Sequence, residues 1–264
     1  MNNTRILYPY NPLNNKEADE PYQDEFQLIS SKGINCSLFD FDMLEFDEFK
    51  PVPRIEEGES ILYRGWMMSP DIYSKLEEYV SRRGASLITN STNYIKCHHL
   101  PGWYENCKQY TPETVFLSDD EKLKNKLDAL GWSKFFVKDF VKSNSTEIGS
   151  IASNSEECLK IVSLIKQFRG SIEGGIAVRK VEDFDSKTEE RYFVLNGRAY
   201  SPTGTIPEII EKIAAIIDAP FYSVDTIKNN AGEYRLVELG DGQVSDKKSW
   251  PVDAFTEMLI TAFK

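Results

Sequence analysis

The first 90 residues alternate between short apolar runs and stretches whose apolar positions recur at helical spacing. The apolar runs predict strands at residues 4–10, 34–39, 60–64 and 85–89. Between them, the spacing predicts helices at residues 20–32 and 70–81, with Gly33 and Gly84 as their ends. Strands that alternate with helices are typical of a parallel sheet, so this part of the chain is predicted to be a small α/β unit.

The pattern changes after residue 133, where strand signals follow one another in hairpin fashion. Strands are predicted at residues 135–141, 176–181, 191–195, 198–200, 221–225 and 234–238. Asn196 and Gly197 form a strong signal for a two-residue hairpin turn. Helices are predicted at residues 119–130, 155–168, 207–217 and 251–263, and residues 91–115 are interpreted as an irregular linker and pocket wall. The predicted fold class is therefore mixed α/β, with an antiparallel (α+β) second part.

Composition and charge exclude several classes of function. The chain has 264 residues, of which 41% are apolar and 28% charged, as in ordinary globular proteins. A net charge of −11 disfavours non-specific binding to nucleic acid. Apolar runs such as Ile213–Ile217 are far shorter than the roughly 20 residues that a bilayer requires. The N-terminal residues lack the apolar segment of a secretion signal, so we expect a cytoplasmic protein that binds neither nucleic acid nor membrane.

The cysteines are widely spread, at Cys36, Cys97, Cys107 and Cys158, so no disulfide framework is expected. Cys97, His98, His99 and Cys107 have the chemistry of zinc ligands, but their spacing matches no common zinc site. We therefore expect His98 or His99 to contribute to a ligand pocket. The sequence leaves the oligomeric state open, and a homodimer is the commonest assembly of soluble proteins.

Carboxylates lie at the ends of two consecutive predicted strands. Asp225 ends one strand, Glu238 ends the next, and Asp241 follows three residues later. If the strands are neighbours, these oxygen ligands suit Mg²⁺, which commonly takes only one or two carboxylates together with phosphate oxygens. The alternative is that they are ordinary strand ends that face solvent.

Positive side chains precede and follow a small polar loop. Lys138 and Lys142 lie on the same face of one predicted strand, and their charges repel unless an anion such as a nucleotide polyphosphate lies between them. Equally, they could be surface lysines on an edge strand. The stretch 143–150 is either a phosphate-covering lid or a plain loop. Further positive charge occurs at Arg179, Lys180 and Arg191, each of which could instead pair with a nearby acidic residue.

Four stretches in this order resemble the ATP-grasp superfamily. They are Leu62-Tyr-Arg-Gly-Trp-Met67, Phe136-Val-Lys-Asp-Phe-Val-Lys-Ser143, Glu173-Gly-Gly-Ile-Ala-Val-Arg179 and Val237-Glu-Leu-Gly-Asp-Gly-Gln-Val-Ser245. The chain is similar over its whole length to the compact single-chain clade of bacteria and their phages. The resemblance implies an N-terminal α/β subdomain at 1–115 and an ATP-grasp domain at 116–264. Within that domain, a lid would cover about 133–180 and an antiparallel sheet about 181–264.

The resemblance also implies roles for individual residues. ATP would be contacted by Lys138 at its α- and β-phosphates and covered by the lid that Lys142 and Ser143 begin. The hinge strand 176–182, with Arg179 and Lys180, would receive the adenine. Ribose would be held by Glu182 or Asp183, the γ-phosphate by Arg191, and Mg²⁺ by Asp225 and Glu238.

Two positions depart from the family pattern. The family usually has an asparagine metal ligand where this chain has Gly240, so either Asp241 replaces it or one ligand is lost. The hinge often carries a glutamate where this chain has Lys180.

The activity that the resemblance implies is ATP-dependent joining of a carboxylate and an amine through an acyl phosphate. The N-terminal subdomain would supply the substrate site from Arg64, His98, His99 and Trp103, although structural pairing of Arg64 and core packing of Trp103 stay open. Two alternatives also stay open, namely a small-molecule kinase on the same fold and a nucleotide-binding module that has lost turnover.

Overall fold

Strands and helices alternate through the N-terminal part of the chain, as its apolar pattern predicts. The computed structural model describes residues 3–141 and 149–263. The first strands are β1 (Thr4–Asn11), β2 (Asn14–Ala18), β3 (Asn35–Phe39), β4 (Ser60–Tyr63) and β5 (Ser86–Leu87). The helices among them are α1 (Gln23–Ser31) and α2 (Pro70–Ser81), with short 3-10 helices at Glu20–Tyr22 and Asp42–Leu44. Helix α2 spans the predicted residues because Ser69 caps it and Pro70 occupies its first turn.

The predicted irregular linker at residues 91–115 is wrong over most of its length. This segment forms α3 (Ser91–His98), α4 (Leu100–Cys107) and the start of β6 (Thr114–Leu117). Buried side chains recur every three or four positions through both helices, at Tyr94, Cys97, Leu100, Trp103, Tyr104 and Cys107. Because cysteines and large aromatic residues fill most of these buried positions, the helical period was hidden in the sequence.

The remaining predicted elements are present, with adjusted ends. They are α5 (Leu123–Asp128), β7 (Phe135–Asp139), β8 (Ile151–Ala152), α6 (Ser155–Arg169), β9 (Ile176–Lys180), β10 (Phe184–Leu195), β11 (Arg198–Tyr200), α7 (Glu208–Ile216), β12 (Phe221–Asn229), β13 (Tyr234–Asp241) and α8 (Val252–Phe263). The main difference is that β10 begins at Phe184 rather than Arg191. In the described ranges, every helix is too short or too polar to cross a bilayer.

Packing divides the chain into two units, each built from separate segments. Unit 1 contains Met1–Ile95, Arg191–Ser223 and Gly240–Lys264, and unit 2 contains Lys96–Glu190 and Val224–Leu239. These units cut across the chain order, so the predicted subdomain boundary at 115/116 stays a prediction.

Unit 1 contains a mixed sheet that is buried on both faces. Strand β1 pairs in parallel with β3 and β4, β4 pairs in parallel with β5, and β2 is antiparallel to β1. Alternate residues of β1 point to opposite faces, so Ile6 belongs to one core cluster and Leu7 to another. Helices α1 and α8 contribute Ile29 and Phe255 to the first cluster, and α2 contributes Leu76 to the second.

Unit 2 contains an antiparallel sheet in the order β6-β9-β7-β8. Its core face carries Val137 of β7 and Val178 of β9, which pack with Ile161 of α6. The register pairs Phe136 with Arg179 one position away, so both point to the opposite face. Lys138 lies two residues from Phe136 and is predicted by strand geometry to share that face. The sheet therefore directs its polar chemistry away from the α6 core.

The third sheet has the order β11-β10-β12-β13, and three of its strands contain residues of both units. Strands β10 and β11 form the predicted hairpin, with Leu195 opposite Arg198. The turn residues Asn196 and Gly197 have φ angles of 52° and 75°, as a two-residue turn of this kind requires. The prediction of a tight turn here is confirmed.

Replacing Gly197 by alanine is expected to lower the free energy of unfolding by about 1–2 kcal/mol, because a side chain disfavours positive φ. No heavy atom lies within 4 Å of the position of an added Cβ, so the effect is confined to the backbone. Urea unfolding of Gly197→Ala measures it, with Gly197→Asn as control, since asparagine tolerates this conformation better. Equal losses in the two variants would contradict the explanation.

Candidate functional site

A cleft with a volume of about 530 Å³ lies in unit 2 and is lined by residues of both of its sheets. This volume is in the range of small-molecule sites, roughly 300–1,000 Å³. The apolar part of its lining consists of Pro112, Phe136, Ile151, Val181, Phe184, Ile227 and Val237. Ile151 is 55% exposed although it is apolar, so the cleft offers apolar surface that a flat ring could cover.

Four residues predicted for cofactor binding line this same cleft, namely Arg179, Lys180, Glu182 and Asp183. They lie together because Arg179 and Lys180 end β9, and the other two belong to the short connection before β10. Further polar lining comes from Lys134, Ser186, Glu189 and Asn230. The cleft therefore combines apolar walls with both signs of charge.

Arg179 is a buried cation on the cleft face of β9, only 6% exposed. Its Nη1 donates to the backbone oxygen of Val237 at 2.7 Å, and its Nη2 donates to Oγ1 of Thr111 at 2.5 Å. Its Nε has no acceptor among the described residues. Burial lowers the pKa of Arg179 to about 10, although the carboxylates of Glu238 and Glu182 oppose this shift. A buried donor without an acceptor is costly, so an acceptor bound in the cleft would stabilise Arg179.

Glu182 is held from one side by Arg235. The Nε of Arg235 donates to Oε2 at 2.9 Å, and its Nη2 donates to Oε1 at 2.8 Å. Arg235 also donates to the backbone oxygen of Gln109 at 3.1 Å. Lys180 is exposed by contrast, with its Nζ 3.6 Å from Oε2 of Glu113. Of the charged groups of the hinge, the carboxylate is thus oriented far more tightly than the ammonium.

Lys138 and Glu238 form a close ion pair in unit 2. The Lys138 Nζ lies 2.5 Å from Oε1 of Glu238 and also donates to the backbone oxygen of Val141 at 3.3 Å. The side chain of Lys138 is 3% exposed and that of Glu238 is 31% exposed. The sequence assigns Lys138 to phosphate and Glu238 to metal, and the structure brings the two together. They supply the positive and negative charges that complement a magnesium–polyphosphate complex.

Asp225 lies on β12, which is adjacent to β13 and Glu238 in the sheet, and its side chain is buried. Within residues 3–141 and 149–263, no three His, Cys, Asp or Glu side chains are grouped so as to hold a metal ion. Mg²⁺ needs fewer protein ligands, because phosphate oxygens and water complete its shell. An all-oxygen set of two carboxylates on adjacent strands fits this ion.

Asp241 belongs to unit 1 and is fully buried. Its Oδ1 accepts hydrogen bonds from the backbone nitrogen and Nε2 of Gln243, at 3.0 and 3.1 Å. Its Oδ2 has no hydrogen-bond partner in the described part of the chain. Burial raises the pKa of Asp241 to about 7, against the hydrogen bonds from Gln243 and the charge of Arg64. Its role as a metal ligand stays a prediction.

Packing explains why glycine occupies position 240. A Cβ on Gly240 would lie 2.8 Å from Oγ of Ser223 and 2.9 Å from Oγ of Ser245. These hydroxyls are bonded to each other at 2.8 Å. An asparagine at this position would displace both, so the local structure does not accommodate the family's usual ligand.

Arg191, predicted at the γ-phosphate, also belongs to unit 1. Its Nη1 lies 2.9 Å from Oδ1 of Asp246 and donates to the backbone oxygen of the same residue at 3.0 Å. The Arg191 side chain is 11% exposed, whereas that of Asp246 is 76% exposed. Its contact with phosphate stays a prediction.

Arg64 is fully buried, and its guanidinium donors are used within unit 1. Its Nε and Nη2 donate to the carboxylate of Glu25 at 2.9 and 3.0 Å. Its Nη1 donates to the backbone oxygens of Gly242, Gln243 and Ser245. Burial would raise the pKa of Glu25, but the charge and hydrogen bonds of Arg64 hold it below its ordinary value. These contacts favour structural pairing over a grip on substrate.

The other residues predicted for substrate binding belong to unit 2. His98 and Trp103 are buried, and the Trp103 Nε1 has no acceptor among the described residues. His99 is partly exposed, with its Nε2 3.2 Å from Oε1 of Glu173. Burial favours core packing for Trp103, and substrate contact by the histidines stays a prediction.

Some predicted and unpredicted residues complete the comparison with the sequence. Lys142 and Ser143 lie outside the described residues, as does most of the predicted lid. Sequence reasoning missed Arg235 and Thr111, which contact Glu182 and Arg179. Arg235 interrupts an apolar strand pattern, which is a usable signal, whereas nothing in the sequence marks Thr111.

Comparisons with known proteins agree with this arrangement. Residues 129–259 match the family model of an ATP-grasp domain, family 3 of its clade. None of the curated protein sequences matches the chain. Among solved structures, D-alanyl-alanine synthetase A from Vibrio cholerae O1 biovar eltor is 12% identical, with a TM-score of 0.64 over 100% of this chain and 98% of that chain.

Two further solved structures are similar over nearly the whole chain. Macrocyclase MdnC from Microcystis aeruginosa, bound with precursor peptide MdnA, is 12% identical, with a TM-score of 0.63 over 98% of this chain and 99% of that chain. D-cycloserine synthetase DcsG is 13% identical, with a TM-score of 0.61 over 99% of both chains. At these identities the likeness shows the fold.

Proposed function

Residues 129–259 place the chain in the ATP-grasp superfamily, and we propose that it is an ATP-dependent carboxylate–amine ligase. Such an enzyme activates an acid as an acyl phosphate and then forms an amide or peptide-type bond. The observation that carries the proposal is the cleft of unit 2, whose apolar walls and hinge residues 179–183 fit the base and sugar of a nucleotide.

In the proposed reaction, a carboxylate oxygen of the acid attacks the γ-phosphorus of ATP. The bond from that phosphorus to the β–γ bridging oxygen breaks, and ADP leaves. The amine nitrogen then attacks the acyl carbon, phosphate leaves with the electrons of the C–O bond, and the nitrogen loses a proton. The protein needs no nucleophilic side chain for this, because positioning and charge neutralisation supply the catalysis.

The residues of unit 2 divide this work by their charge. Lys138 and Arg179 are buried cations that neutralise phosphate oxygens, and burial strengthens such interactions because the surroundings screen charge poorly. Glu182, held by Arg235, accepts hydrogen bonds from the sugar hydroxyls. Arg191 is proposed to contact the transferring phosphoryl group.

Asp225 and Glu238 would hold Mg²⁺, and Asp241 is kept as the candidate for a third ligand. When bound, the ion neutralises charge that develops on the phosphoryl oxygens. The pair of carboxylates on adjacent strands supports this part of the proposal.

Peptides and amino acids are the first acids and amines to test. Solved structures of similar fold include a macrocyclase bound with a precursor peptide and a D-alanyl-alanine synthetase. A ligase releases ADP and phosphate only when both acid and amine are present, whereas a kinase releases ADP with a single substrate. No contact among the described residues favours the kinase or an inactive nucleotide-binding module.

ATP with Mg²⁺ is expected to raise the melting temperature by about 5–10 °C at a nucleotide concentration near 100 times Kd. Either component alone should give a smaller rise, because the metal and the phosphates complete each other's ligand shells. Differential scanning fluorimetry measures the four conditions of no addition, ATP, Mg²⁺ and both.

The variant Glu238→Gln should lose the metal-dependent part of this rise. Glu105→Gln is the matched control, since Glu105 is an exposed glutamate of unit 2 that pairs with Lys108. Absence of any shift in the wild-type protein would contradict the proposed nucleotide site. A shift that Glu238→Gln retains in full would contradict the metal assignment.

A further inference from the structure

Arg235 stands behind Glu182 rather than in the nucleotide cleft. Glu182 lines the cleft, but Arg235 does not. Both residues line a second, smaller depression of unit 2, of about 470 Å³, together with Lys108, Thr111 and other residues. Glu182 therefore separates Arg235 from the cleft, so that any influence of Arg235 on a bound ligand passes through this carboxylate.

The contact between them fixes the plane of the carboxylate. Two parallel hydrogen bonds of 2.8 and 2.9 Å join the guanidinium of Arg235 to both oxygens of Glu182. Such a fork occupies one lone pair on each oxygen and leaves the others directed away from the arginine. The side chains are 21% and 30% exposed, so the pair is partly screened from water.

Arg235 is itself held in place. Its Nη1 donates to the backbone oxygen of Gln109, and the neighbouring Leu236 donates its backbone N–H to Tyr110 at 2.8 Å. Thr111 returns a hydrogen bond from Oγ1 to the backbone oxygen of Leu236 at 2.8 Å. The strand that carries Arg235 is thus fastened at this point, and Glu182 inherits its position from β13.

We propose that Arg235 is a positioning residue that orients Glu182 to recognise a vicinal diol, so that the cleft selects ribonucleotides over nucleotides without sugar hydroxyls. This inference rests on the proposed function and adds a source of nucleotide specificity. A carboxylate free to rotate would have to be ordered by each ligand, at a cost in affinity, whereas the fork orders it beforehand.

The test compares the binding of ATP and 2′,3′-dideoxy-ATP, each with Mg²⁺, by isothermal titration calorimetry. The wild-type protein is expected to prefer ATP by about tenfold or more, the effect of hydrogen bonds to a charged group. In Arg235→Met, ATP should bind about tenfold more weakly while dideoxy-ATP changes little, so the preference falls toward one. With an acid and an amine that turn over, KM for ATP should rise far more than kcat falls.

Variants at neighbouring positions separate positioning from general damage. Arg235→Lys keeps the charge but not the fork, and should lie between the wild type and Arg235→Met. In Glu182→Gln, adding Arg235→Met should have no further effect on the preference, because the arginine acts through that carboxylate. Arg198→Met is the control, since Arg198 is exposed and contacts Tyr200 in unit 1.

The outcomes distinguish this inference from the proposed function. Wild-type protein that binds ATP without preference over dideoxy-ATP would overturn the inference and leave the nucleotide site intact. An equal loss of both nucleotides in Arg235→Met would show a merely structural role. Wild-type protein that binds neither nucleotide would overturn the proposed function and the inference together.

Discussion

Lys138→Met is expected to lower the rate of ATP turnover by about 10²–10³-fold, as removal of one charge-stabilising donor typically does. Lys138 is 2% exposed and supplies a buried positive charge in unit 2. Methionine preserves most of the length and volume of the side chain, so the loss falls on the ammonium group. The rate of ADP release at saturating nucleotide, in the presence of acid and amine, measures the effect.

The fold of this variant should survive, because Glu238 is 31% exposed and water can solvate it once its partner is gone. Lys126→Met is the matched control, since Lys126 forms an exposed ion pair with Asp120 in the same unit. Turnover that stays within about threefold of wild type in Lys138→Met would remove this lysine from the catalytic set. Asp225→Asn combined with Glu238→Gln should abolish turnover by the same assay.

Glu25→Gln is expected to lower the free energy of unfolding by about 3–5 kcal/mol, because it leaves the charge of Arg64 buried without a counter-charge. Both side chains of this pair are 0% exposed. Glutamine keeps the shape and one acceptor oxygen, so the loss reports the missing charge. Urea unfolding at neutral pH measures it.

The control for this loss is Glu78→Gln, which breaks an ion pair with Arg82 whose side chains are 61% and 63% exposed. Its expected loss is no more than about 0.5 kcal/mol. The pKa of Glu25 lies below its ordinary value of 4.5 in the folded protein. The extra stability of wild type is therefore present above about pH 4.5 and lost as pH falls through the folded-state pKa. Equal losses in the two variants at neutral pH would contradict the prediction.

Local sequence patterns were sufficient for most elements and for the hinge. Helix α2 and the turn at Asn196 and Gly197 depend on residues that are adjacent in the chain, so capping and turn chemistry predict them. Arg179 and Glu182 could be placed in one site because they lie at the end of one strand and just beyond it. Consecutive residues cannot separate in space, whatever the tertiary fold.

Contacts between distant residues were not accessible to the same reasoning. The partners Lys138 and Glu238 are 100 positions apart, and their ion pair depends on how the two sheets of unit 2 meet. Arg64 follows a strand, which suits a ligand contact as well as a pair with Glu25, 39 positions away. The chemistry of an arginine is the same in both roles, and only its burial distinguishes them.

The segmented composition of the two units has a consequence for synthesis on the ribosome. Unit 2 has all of its residues once position 239 has left the exit tunnel, although its first residue is position 96. Unit 1 begins with the earliest strand of the chain, but Phe255 and Leu259 of α8 belong to the same core cluster as Ile6. The nascent β1 must therefore wait, with one apolar face uncovered, until translation of α8 is complete.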